Sequence, residues 1–121
     1  MTEREMLEAA ARAMGLTGYS GEDWIGAYFC VPADWSVPRS EPVIYRWGTE
    51  DSDSFRLAAA LRISVEHNHP ADNHPWVCAS VDSVDGQRDF MEEVPDESQR
   101  AGRMRLAILR CAAAQAPKEG V

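Results

Sequence analysis

The segment from residue 49 to residue 67 changes from a helical to an alternating pattern without an intervening loop. Asp51 or Ser52 can cap the helix, where their polar groups suit the positive end of the helix dipole. From Ile63 onward, Ile, Val and His alternate with Ser, Glu and Asn, which predicts a strand directly after the helix. The buried side of the helix is predicted to hold Phe55, Leu57, Ala58 and Leu61.

Further strands are predicted on both sides of this segment. Residues 27–31, 43–47 and 76–81 are β-branched and aromatic runs of strand length. Asp85-Gly86 is a hairpin turn signal, so residues 88–94 are expected to pair back beyond it. Hairpin connections of this kind favour an antiparallel sheet over a parallel one.

Helices are predicted at both ends of the chain. Thr2 and Glu5 form a capping box at the start of the first helix, and Gly15 and Gly18 are expected to end it. Asp96 can cap the last helix after Pro95 stops the preceding strand.

The order of these elements predicts an α+β domain. It runs helix, strands, helix, strands, helix, with an antiparallel sheet covered by helices. A length of 121 residues fits one domain, which we expect over residues 1–116, with residues 117–121 as a C-terminal tail. Trp35 lies in a proline-containing loop between two strands, either as a plug over the core or as a binding platform.

The N-terminus and the cysteines predict a cytoplasmic protein. The first residues mix acidic and apolar side chains and lack the pattern of a secretion signal. No apolar run approaches the roughly 18 residues of a membrane helix, so no membrane contact is expected. Cys30, Cys78 and Cys111 are odd in number and widely spaced, which favours buried, reduced thiols over a disulfide framework.

The charge of the chain is concentrated in its middle. Residues 22–97 hold sixteen acidic and five basic residues, whereas residues 98–121 carry one acidic and five basic residues. The whole chain has a formal charge of −8, which argues against direct binding to nucleic acid.

Three stretches carry a family resemblance. They are EMLEAAARAMG, WGTEDSDSFRLAAALRISVE and ESQRAGRMRLAILRCAAAQA, which together cover under half of the chain. They resemble the phage ABA-sandwich domain family. The resemblance implies a small protein of a bacteriophage or prophage with no known activity, and it supplies no site residues.

The segment HNHPADNHPWVC contains all three histidines of the chain. His67 and His69 are two residues apart and would share one face of a strand, where both could reach Zn²⁺. His74, Asp72 or Cys78 are candidates for the remaining ligands. The alternative is an ordinary exposed loop, because two prolines and two asparagines lie in the same stretch. The letters HNH do not predict a nuclease, whose residues would be distributed over a ββα unit.

No other catalytic signature is present, which predicts a protein that is not an enzyme. The chain lacks GxSxG, GxxxxGK, GxGxxG and HExxH. Our leading hypothesis is an acidic surface that binds a host protein, with a basic nucleic-acid-handling defence complex of the kind that anti-CRISPR proteins inhibit as the candidate target. The alternatives are a zinc-binding protein and a virion assembly component, and the oligomeric state is left open. The residues predicted to contact the partner are Asp82, Asp85, Asp89, Glu92, Glu93, Asp96, Glu97, Trp35 and Trp76.

Overall fold

A computed structural model describes residues 2–19, 28–32, 43–45, 47 and 49–116 of the chain. It has helices and antiparallel three-stranded sheets, so the predicted α+β class is confirmed at this level. In chain order the elements are α1 (Glu3–Ala13), β1 (Leu16–Tyr19), β2 (Tyr28–Pro32), β3 (Val43–Tyr45), α2 (Asp51–Leu61), β4 (Ser64–His67), β5 (Trp76–Ser83), β6 (Gly86–Glu93) and α3 (Arg100–Ala114).

The first helix is capped as the sequence predicts. Thr2 Oγ1 accepts a hydrogen bond of 3.1 Å from the backbone N–H of Glu5. The helix ends before Gly15, whose φ of +71° favours glycine. Gly18 does not end the helix, because it lies within β1, a strand that the sequence analysis did not predict.

The second helix differs from its prediction at its cap and on one face. Its N-cap is Glu50 and makes no side-chain capping bond, so the expected cap at Asp51 or Ser52 is wrong. Phe55 is 73% exposed rather than buried. The buried stripe begins instead at Ser54 and continues through Leu57 and Ala58, which have the i, i+3, i+4 spacing of one helix face.

The change from α2 to β4 requires a left-handed residue, and Arg62 takes that conformation with φ of +56°. The backbone N–H of Ile63 donates to the Ala58 carbonyl at 2.8 Å, which satisfies one of the last carbonyls of the helix. The chain therefore enters β4 without a loop, as the change of periodicity predicts.

The described strands form two sheets rather than the single sheet that was predicted. Their orders are β1-β2-β3 and β4-β5-β6, and every pairing is antiparallel. The β5–β6 hairpin closes at the Ser83–Gly86 pair, so its turn consists of Val84 and Asp85, one residue earlier than expected. Gly86 has a φ of +115° at the start of β6.

Helix α3 packs on one face of the β4-β5-β6 sheet and also contacts α1 and α2. The buried cluster at this junction draws on all three helices and on the central strand β5. It includes Leu7, Trp47, Leu57, Ile63, Ala79, Ile108, Leu109 and Cys111. Within the described residues, no helix is both long and apolar enough to cross a membrane.

Candidate functional site

The two faces of the β4-β5-β6 sheet have opposite character. Side chains alternate between faces along a strand, and residues directly opposite each other on antiparallel strands share a face. Ala79 lies in the core beside α3, which assigns its cross-strand partners Val65 and Phe90 to the α3 side. The other face, called the open face here, consists of Ser64, Glu66, Trp76, Cys78, Ser80, Asp82, Gln87, Asp89, Met91 and Glu93.

The open face is acidic. Four of its ten side chains are carboxylates, and none is Lys or Arg. They are distributed over all three strands, with Glu66 on β4, Asp82 on β5, and Asp89 and Glu93 on β6. All four residues are exposed. The open face therefore presents negative charge to solvent on each of its three strands.

The pKa of the Cys78 thiol reflects the negative charge around the centre of the open face. Burial raises its pKa, and the negative charges of Asp89 and Glu66 raise it further. The two carboxylates lie on strands at opposite edges of the sheet, so both act on the same central position. Cys78 is consequently a neutral thiol in a negative environment, which is the opposite of the setting of a reactive cysteine.

Three of the predicted partner-binding acids and one tryptophan lie on the open face. They are Asp82, Asp89, Glu93 and the half-buried Trp76. Trp76 pairs with Glu93 across the strands, which brings an indole and a carboxylate together at one end of the face. Asp85 lies in the turn of the hairpin at the other end. Trp35 lies outside the described residues.

Glu92 belongs to the opposite face of the sheet. Its side chain is 15% exposed and binds Arg110 of α3 with an Oε1–Nη1 distance of 2.7 Å. Neighbouring residues of a strand point to opposite faces, so Glu92 cannot act together with Glu93. Its carboxylate holds α3 to the sheet.

Asp96 and Glu97 stabilise the turn that leads into α3. The Asp96 side chain accepts a bond from the backbone N–H of Ser98, and hydrogen bonds from Ser98 lower the pKa of Asp96. Glu97 binds Arg100 through both carboxylate oxygens, at 2.7 and 2.8 Å, and these bonds lower the pKa of Glu97. Both acids therefore have a structural role beside any contribution to surface charge.

Arg100 connects this turn to the sheet. Besides Glu97, its guanidinium donates to the Trp76 carbonyl at 3.1 Å and to Asn68 Oδ1 at 2.8 Å. It also lies 3.0 Å from His67 Nδ1. The end of β4, the start of β5 and the start of α3 are thus held by one side chain.

The candidate zinc residues are not brought together. His67 and Cys78 lie on opposite faces of the sheet, because His67 pairs with Val77 and Cys78 pairs with Glu66. β4 ends at His67, and His69 enters a turn where its Nδ1 accepts a bond of 3.1 Å from the Ala71 N–H. His74 and Asp72 are exposed in the same connection. Among the described residues, no three His, Cys, Asp or Glu side chains are arranged to hold a metal ion.

Two cavities adjoin the β4-β5-β6 sheet. A cavity of about 540 Å³ lies toward the hairpin end of the sheet, and its lining includes Arg62 together with Glu66, Asp82 and Gln87. An apolar groove of about 470 Å³ lies on the α3 side of β6. Its lining residues are Met6, Phe90, Leu106, Arg110, Ala113 and Ala114.

Glu66 is not among the residues predicted to contact the partner, although it lies in the acidic middle of the chain. Glu66 and Asp89 share a face only because of the registers of the β4–β5 and β5–β6 pairs. These registers depend on the fold and are not visible in the local sequence.

Comparison with known proteins identifies no relative: no family model, no curated protein and no solved structure matches the chain.

Proposed function

We propose that this protein is a non-enzymatic, phage-encoded accessory protein that binds a basic host protein through the open face. The target is a nucleic-acid-handling defence complex. Its Arg and Lys side chains would bind the carboxylates of the open face in place of DNA or RNA, as in anti-CRISPR inhibition. The single observation that carries the proposal is a sheet face with four carboxylates and neither Lys nor Arg. A face of this charge accelerates association with a basic groove.

The proposal includes a specific anchor beside the charge. Trp76 is half-buried on the open face and lies opposite Glu93. Tryptophan is enriched among residues that contribute most to binding energy, and an adjacent carboxylate can receive a partner's Arg or Lys. Charge then supplies rate and specificity, and the indole supplies buried apolar area.

We also infer the setting in which this surface acts. We infer one domain over residues 1–116 in the order helix, strands, helix, strands, helix; the predicted C-terminal tail, residues 117–121, lies outside the described residues. A shared core supports this domain, since Leu7 of α1, Leu57 of α2 and Leu109 of α3 belong to one buried cluster. The protein works in the host cytoplasm, where its target complex acts.

The test compares two double variants that change net charge equally. Asp89→Asn with Glu93→Gln removes two charges from the open face, whereas Glu3→Gln with Glu50→Gln removes two exposed charges at helix starts. Immobilised wild-type protein is incubated with host lysate at low salt, and the captured proteins are identified by mass spectrometry. Duplex DNA is then added as a competitor.

The proposal predicts capture of a nucleic-acid-binding protein that DNA displaces and that added salt releases. The open-face variant should lose this partner, and the Glu3 and Glu50 variant should retain it. Equal retention by both variants, or a captured partner indifferent to DNA and salt, would contradict the proposal.

A further inference from the structure

We propose that the partner contributes an extended segment, in which apolar residues alternate with Lys or Arg, and that this segment adds to the free edge of β6 as a fourth strand of the sheet. The inference rests on the proposed function and deepens it by naming the class of peptide bound. Three features carry it: a strand edge with which no other described strand pairs, an apolar groove on one side of that edge, and the acidic open face on the other.

β6 is an edge strand, since β5 is the only strand that pairs with it in the described part of the chain. The Val94 N–H donates to the Pro75 carbonyl at 3.0 Å, which marks a hydrogen-bonded pair of the ladder. Such pairs alternate along antiparallel strands, so Phe90 also directs its backbone groups toward β5. The β6 residues whose backbone groups point away from β5 are Gln87, Asp89, Met91 and Glu93.

One side-chain contact agrees with this direction. Arg110 Nη1 lies 3.3 Å from the Met91 carbonyl, on the side away from β5, and 2.7 Å from Glu92 Oε1. The bond to Met91 is the longer of the two, so an incoming strand would displace it while the ion pair with Glu92 remains. The edge is eight residues long, and Met91 is 56% exposed on it. Long exposed edges of this kind are templates for strand addition.

The groove determines which side chains the added strand needs on the α3 side. It is lined mainly by Met6, Phe90, Leu106 and two alanines, with a volume of about 470 Å³. Arg110 belongs to the same lining and disfavours a basic side chain there. Every second residue of the added strand, which points toward α3, would therefore be apolar.

The open face determines the intervening residues. Side chains on that side of the added strand would lie next to Asp89, Met91 and Glu93. Two carboxylates on the neighbouring strand favour Lys or Arg, whose aliphatic stems can also cover Met91. Strand addition supplies affinity through the backbone, and alternate side chains supply specificity. The two sides of β6 together call for an apolar–basic alternation.

The probe is a synthetic peptide as long as β6, with capped ends, in which Lys alternates with Val. Its control has the same composition but with the lysines in one block and the valines in another. Binding is measured by fluorescence anisotropy with labelled peptide. We expect the alternating peptide to bind at least about tenfold more tightly, because only it matches both sides of the edge. Equal binding of the two peptides would overturn the inference.

The backbone contribution is isolated by two variants of one residue. Met91→Pro removes an N–H that points away from β5 and places a ring on the edge, whereas Met91→Ala removes the side chain and keeps the N–H. We expect the proline variant to lose peptide affinity by about tenfold or more relative to the alanine variant. Equal affinity would overturn strand addition. It would leave the proposed function intact if the Asp89 and Glu93 variant still loses the host partner.

A second pair of variants decides the question if Met91→Pro does not fold. Ala114→Phe fills the groove, and Ala101→Phe places the same side chain on an exposed position of α3. Loss of peptide binding in the first variant alone would support the inference, and equal binding by both would overturn it. A dimer seen by light scattering, dissociating on dilution and abolished by Ala114→Phe, would also overturn it, because the edge would then serve a second copy of the chain.

Discussion

The orientation of α2 is tested by truncating two of its side chains. Leu57 is 1% exposed and belongs to the core cluster, whereas Phe55 is 73% exposed. Leu57→Ala removes apolar groups worth about 0.8 kcal/mol for each buried CH₂, and the remaining cavity adds to that loss. We expect a decrease of about 3 kcal/mol in the free energy of unfolding. Phe55→Ala should lower the free energy of unfolding by less than about 1 kcal/mol, because most of the Phe55 ring is already exposed to water in the folded protein.

Urea denaturation followed by far-UV circular dichroism measures both variants. A loss of about 3 kcal/mol is a large part of the roughly 5–15 kcal/mol expected for a domain, so Leu57→Ala should still fold at a lower urea midpoint. Its melting temperature should fall by about 12 °C, at about 4 °C for each kcal/mol in a chain of this length. If Phe55→Ala costs as much as Leu57→Ala, the helix is rotated and the burial described here is wrong.

Three further predictions concern single polar groups. Ser54 is buried and its Oγ has no hydrogen-bond partner among the described residues. Because a buried polar group without a hydrogen bond costs about 1–3 kcal/mol, Ser54→Ala should raise the urea midpoint or leave it unchanged. A lower midpoint would contradict this prediction. Hydrogen bonds from Arg100 lower the pKa of Glu97 below its ordinary 4.5. The ion pair therefore stabilises the fold above pH 4.5, and this stabilisation is lost as the pH falls through the folded-state pKa. The acid-induced drop in melting temperature should accordingly be smaller in Glu97→Gln. Burial raises the pKa of Cys111 to about 11, so a thiol reagent at neutral pH should label this cysteine only after urea is added. Peptide mass spectrometry locates the label, and prompt labelling of Cys111 itself in the native protein would contradict its burial.

Local signals in the sequence predict the elements whose ends depend on neighbouring residues. Thr2 caps α1 as predicted, because its bond to Glu5 spans only three residues. The prediction that Asp96 caps the last helix is wrong, since Asp96 caps the short turn at Glu97–Gln99 and the N-cap of α3 is Gln99. The change of periodicity near Ile63 likewise marks the entry into β4. β1 was not predicted, because four residues with a central Gly18 form a strand only through pairing with β2, which lies farther along the chain.

Burial and charge on a particular face depend on packing that the sequence does not specify locally. Phe55 is larger and more apolar than Ser54, yet Ser54 occupies the core position, because the neighbours of α2 set its rotation. Glu92 and Glu93 are adjacent and were predicted as one acidic surface. Strand alternation directs them to opposite faces, and Arg110 pairs with Glu92. Once β6 is known to be a strand, the alternation of its side chains is enough to place Glu92 and Glu93 on opposite faces.

The spacing of the open-face carboxylates makes charge removal a clean test of function. Glu66 and Asp89 lie on strands separated by β5 and are two residues out of register, so they are about 12 Å apart at the usual strand spacing and rise. That distance exceeds the Debye length of about 8 Å at physiological salt, and their repulsion is then largely screened. At about 0.01 M salt the Debye length reaches about 30 Å, and the repulsion is only weakly screened. Asp89→Asn with Glu93→Gln should therefore raise the melting temperature at low salt and leave it nearly unchanged at physiological salt. An equal decrease of the melting temperature at both salt concentrations would mean that these carboxylates stabilise the fold. A loss of partner binding in the same variant would then no longer identify the open face as the binding surface.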